Sequence, residues 1–91
     1  MSNFFDKLPL ETAAQMEQLS RLMYELRENH AQLLAQYGAA DEAALLADIR
    51  DGRIVEHPAY EHYLGARILA ASREAVRTEL QALLHSVTRN A

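Results

Sequence analysis

Side chains able to bind metal or move protons crowd one short stretch, Glu56-His57-Pro58-Ala59-Tyr60-Glu61-His62-Tyr63, with two of the four histidines and two of the four tyrosines. Imidazole and carboxylate are ligands for zinc-like ions, and imidazole changes charge near neutral pH. On a helix His57 and Glu61, four residues apart, share one side, while His62 lies about 100° round from Glu61. One chain therefore offers two adjacent ligands, with Glu56 as a candidate addition, and a stable zinc site takes three or four. A third could also come from His30, His85 or a second subunit. The spacing matches neither the His-Glu-x-x-His pattern of zinc proteases nor the Glu-x-x-His pairs of di-iron bundles.

The same residues have structural work at a helix start. Pro58 suits the first helical position, His57 becomes the cap, and Glu61 meets the positive end of the helix dipole. Tyr60 and Tyr63 pack the corner with their hydroxyls toward water. This is the favoured reading, and a metal site at His57, Glu61 and His62 is the alternative. His62 has no capping role in either.

No other catalytic pattern stands out. Gly38, Gly52 and Gly65 are isolated, so there is no glycine-rich phosphate loop, and Ser20, Ser72 and Ser86 lack an elbow motif. Without cysteine there is no thiolate ligand, cysteine nucleophile or disulfide framework. The expectation is a non-catalytic protein with no cofactor.

Charge narrows the partners. Thirteen acids against nine bases give a net charge of −4, and phosphate backbones require a basic patch. A helix-turn-helix through Asp51-Gly52 would open its second helix with Glu56 and Glu61, so DNA is not the expected partner. The single lysine and mixed charges do not suit a membrane surface, and no run of about 18 apolar residues spans one. The first residues lack a basic region followed by an apolar run, so the expected location is the cytoplasm.

The elements that position the cluster are helical. Ninety-one residues suit one domain whose core buries roughly 60–65% of the unfolded surface. Alanine, leucine, glutamate, glutamine and arginine dominate, with three glycines and two prolines. After an arm over 1–8 carrying Phe4, Phe5 and Leu8, a long helix is predicted over about 9–37. Pro9 or a Thr12–Gln15 capping box starts it, and Gly38 ends it. Met16, Leu19, Met23, Leu26, His30, Leu33 and Tyr37 alternate spacings of three and four, a heptad stripe that Leu22 and Leu34 widen. His30 is its one polar member. It could fix register, ligate a metal, or pack its ring while one nitrogen finds a partner.

A short helix is expected over about 41–51, capped by Asp41 and closed by Gly52. Ile54 and Val55 then tuck under the corner. A second long helix is predicted over about 57–87. Gly65, Leu69, Ser72, Val76, Leu80, Leu83 and Val87 repeat every eleven residues along it, the signature of a nearly straight helix. Gly65 suggests close packing. A second stripe, Leu64, Ile68, Ala71 and Ala75, flanks the first half, where the short helix is expected to cover it.

The resulting fold class is all-α: an antiparallel hairpin of two long helices with a short helix at the corner, completed to a four-helix bundle by dimerisation. Leu80, Leu83, Leu84 and Val87, with Met16, Leu19, Met23 and His30, are the candidate interface residues. The functional expectation is an interaction or regulatory module acting through helical surfaces and self-association.

Overall fold

The computed structural model describes residues 9–90, which form three helices: α1 (Leu10–Ala35), α2 (Glu42–Arg50) and α3 (Glu56–Asn90). Among the described residues there is no strand. The arm with Phe4 and Phe5 lies outside them. α1 packs against α3, and α2 packs against α3 near its start. The longest dimension is 57 Å, and the 35 residues of α3 account for about 52 Å of it at the helical rise.

Both turns are built from left-handed glycines. Gly38 has φ 63° and Gly52 φ 73°, a region open to glycine because it has no Cβ. At the end of α1 the Ala39 N–H donates to the Leu34 carbonyl (3.1 Å) and the Gly38 N–H to that of Ala35 (3.1 Å). At the end of α2 the Arg53 N–H donates to Asp48 (2.9 Å) and the Gly52 N–H to Ile49 (3.1 Å). Both are complete Schellman closures, which satisfy carbonyls that a helix end leaves open. Asp41 sits in an extended conformation before α2, and its carboxylate accepts from the Ala44 N–H at 2.8 Å.

The start of α1 is simpler than the sequence suggested. Pro9 stands just before the first helical residue and no side chain caps it, so Thr12 and Gln15 form no capping box. His57 has the non-helical angles of a cap (φ −104°, ψ 129°), and the regular part of α3 runs on from Pro58.

The two long stripes meet as their periods require. Every member of the α1 heptad stripe, from Met16 to Tyr37, is buried or half-buried, as is every member of the eleven-residue stripe from Gly65 to Val87. A Cβ placed on Gly65 would stand 3.6 Å from the Leu33 side chain, ordinary van der Waals contact. The helices approach closely there, yet a methyl group still fits.

The best-buried cluster joins all three helices: Leu34, Leu45 and Ala66, with Tyr37, Ile49, Ile54 and Tyr63 packed around it. Leu45 is completely buried. α2 thus lies on the side of α3 that presents Tyr63 and Ala66. This corrects the expectation that it covers the second stripe. Leu64 is 39% and Ile68 65% exposed, and Ala71 and Ala75 are exposed beside them. Val55 also points outward, at 79% exposure, while Ile54 alone tucks under the corner.

Candidate functional site

The ionisable and aromatic groups of the corner sort into three pairs, each fixed by helix geometry. Four residues apart on the first turns of α3, His57 and Glu61 face each other, and His57 Nδ1 lies 2.7 Å from Glu61 Oε1. Both are largely exposed. The Glu61 carboxyl is held below the usual glutamate range, first by its own backbone N–H near the helix start and then by His57.

His62 turns elsewhere. Its Nδ1 shares a part-buried hydrogen bond with the hydroxyl of Tyr37 in the turn that follows α1, and the two rings lie 5.5 Å apart, tilted by 56°. The side chain without a capping role therefore ties α3 to the turn that closes α1.

The third pair joins α1 to α2. His30 takes its place in the heptad stripe, and its Nε2–H donates to the Glu42 carboxylate at the start of α2. Burial raises the Glu42 carboxyl, but the His30 bond, Glu42's own backbone N–H and the His30 charge outweigh it and hold the group below its usual range. Of the roles open to a seam histidine, this is the ring that packs while one nitrogen finds a partner.

The structure thus does not bring His57, Glu61 and His62 together. Glu61 bonds to His57 on one side of α3, and His62 to Tyr37 on another. Among the described residues no three His, Asp or Glu side chains stand close enough to hold a metal ion. What the corner does present is an open groove of about 460 Å³ between α2 and α3, lined by Leu46, Ile49, Arg50, Tyr60, Tyr63 and Arg67. Tyr60 and Tyr63 lie 5.9 Å apart in it, and the Arg67 guanidinium stands 5.9 Å from the Tyr63 ring centre.

The candidate interface residues mostly face inward. Met16 is buried, and Leu19, Met23, His30, Leu80, Leu83 and Val87 are half-buried in the stripes just described. Leu84 is 37% exposed. A second set of exposed, uncharged side chains lies on a different side. On α1 the seventh-residue series Gln15, Leu22, Asn29 and Gln36 is exposed throughout and uncharged. It lies across the heptad stripe from Leu34, the residue under α2. On α3 the matching bare flank is Leu64, Ile68, Ala71 and Ala75. Sequence reasoning named this α3 stripe but gave it a cover. Of the α1 half the sequence marked only Leu22, as widening the heptad stripe; glutamine and asparagine carry no hydrophobic signal, and their lack of charge was the available clue.

Among the described residues the molecule is thus all-helical, with a three-helix corner and, on the flank away from α2, rows of exposed uncharged side chains. Residues 9–88 match the family described as Uncharacterized protein MJ0235 family, and the chain belongs to that family. No curated protein and no solved structure matches it. No described helix is long and apolar enough to cross a membrane.

Proposed function

We propose that this protein works through its helical surfaces rather than by catalysis, as a small interaction module that associates with a second copy of itself. In this reading α1 and α3 form an antiparallel hairpin, α2 seals one flank at the corner, and a second hairpin seals the other to make a four-helix bundle.

The observation that carries the reading is the bare flank. Eight exposed positions on two helices are free of charge in a chain with 22 Asp, Glu, Lys and Arg residues. Three of the eight are large aliphatics: Ile68 (65% exposed), Leu22 (42%) and Leu64 (39%). Single exposed leucines are ordinary, but three large aliphatics set in rows of uncharged side chains suit an interface centre, where charged residues are depleted. Two helices of this length bury only the stripe between them and the part that α2 covers, which supports a second layer on the other flank.

Light scattering coupled to size exclusion tests the proposal. A dimer mass of about 20 kDa, twice the 10.3 kDa chain, is expected at micromolar concentration. A monomer across tens of micromolar would remove the reading.

A further inference from the structure

The flank of α3 carries more than apolar area: its pattern is self-complementary. Its exposed stripe extends as Leu64, Ile68, Ala71, Ala75, Thr78 and Ala82, with spacings of 4, 3, 4, 3 and 4. That is a heptad seam, distinct from the eleven-residue stripe that α3 turns toward α1. All six positions are exposed. The large residues come first and the small ones follow.

We infer that the partner of this seam is the α3 helix of a second copy, packed antiparallel about a two-fold axis between Leu69 and Ala70. The inference rests on the proposed self-association and names the surface and register that would make it. Reversing one helix on the other sets Ile68 against the partner's Ala71 and Leu64 against the partner's Ala75. Each large side chain then fills the space over a small one, and symmetry supplies every contact twice. Shifting the register one heptad one way sets Leu64 against the partner's Ile68 and Ala71 against the partner's Glu61; shifting it the other way sets Ile68 against the partner's Thr78 and brings the two copies of Glu74 together.

Charge favours the same register. In an antiparallel pair, residues on the same edge of the two seams face one another. Beside the Ile68 and Ala75 layers lie Arg67 and Glu74, both exposed on that edge. In this register Arg67 faces the partner's Glu74, and the two-fold axis repeats the pair. Within one chain neither is committed to a strong ion pair. Arg67 rests over the Tyr63 ring, and Glu74 reaches Arg77 only at 3.9 Å. A sequence-unrelated partner has no reason to match a large-to-small gradient and an acid–base pair both centred on one point of α3. A second copy does so automatically.

Sedimentation equilibrium on the full chain and four variants tests the inference. Ile68→Glu should weaken the dimer about 100-fold or more, since two copies of the side chain leave the seam. Helical circular dichroism should be unchanged, because Ile68 is already mostly exposed in the single chain. Arg67→Glu and Glu74→Arg should each weaken it about tenfold by turning two attractions into repulsions. The double variant Arg67→Glu/Glu74→Arg should recover wild-type association. A dimer untouched by Ile68→Glu would overturn this surface while leaving self-association standing. Charge variants whose double swap stays as weak as the singles would overturn the register. A monomeric wild type would overturn the seam together with the functional reading beneath it.

Discussion

The two flanks of the α1–α3 pair began with similar apolar content and met different fates. On one side Leu34 and Ala66 are sealed by Leu45 of α2, and exposure falls to 4% or less. On the other, Leu22, Leu64 and Ile68 stay open at 39% or more. The difference lies in the turns: two Schellman closures and the Asp41 cap deliver a nine-residue helix to one side only. Apolar residues do not choose their own cover; the connections do. A flank the chain cannot reach must live in water or find another molecule.

Substitutions can break that contrast. The largest effect is expected from Leu45→Ala, which empties the one fully buried large side chain among the described residues and should destabilise by about 3 kcal/mol in thermal or urea unfolding. Leu22→Ala on the open flank should change the stability of the monomer by about 0.5 kcal/mol or less. Equal losses at both sites would mean that the flanks do not differ.

Glu42→Gln should come next, at about 1 kcal/mol, because it weakens the charge-assisted bond from His30 that pins α2 down. It also has a pH signature. The folded state depresses the Glu42 carboxyl, so its contribution is complete above the usual unfolded value of about 4.3 and fades as pH falls through the folded value. Stability measured from pH 6 to 3 should therefore fall less steeply in Glu42→Gln than in wild type. Parallel curves would show that the bond carries no linked protonation.

Gly65→Ala should give a small change of the opposite sign, a gain of about 0.5–1 kcal/mol. A Cβ there meets Leu33 at 3.6 Å, a contact it can keep. Loss of stability would mean that the approach of α1 and α3 is tighter than this distance.

Much of the fold was legible because it rests on local rules. The Gly38 and Gly52 caps, the Asp41 cap and both stripes are matters of spacing and backbone preference, and each appears where the residues placed it. The position of α2 was not legible. Leu45 and Ile49 mark its apolar side, but the side of α3 they choose follows from how two turns aim the chain, and the Leu64 stripe looked equally receptive. The corner cluster was half legible. His57 as a cap and Glu61 as its neighbour follow from helix geometry, whereas the His62–Tyr37 and His30–Glu42 bonds depend on which helices stand side by side. Thr12 failed as a cap because Pro9 already starts the helix one turn earlier, and Val55 stayed outside because Ile54 alone fills the space under the corner.

The brevity of α2 has a consequence for motion. Nine residues are too few to hold a helix in isolation, so α2 persists through its tethers and its contacts. Its cap, the Glu42 bond to His30, the Leu45 contact and the closing bonds at Gly52 support one another, and none has value once the others are gone. The piece should therefore open and reclose as a single cooperative unit, with its amides exchanging with solvent at one shared rate. Each opening would briefly bare Leu34 and Ala66, giving the sealed flank a momentary likeness to the one that is always open.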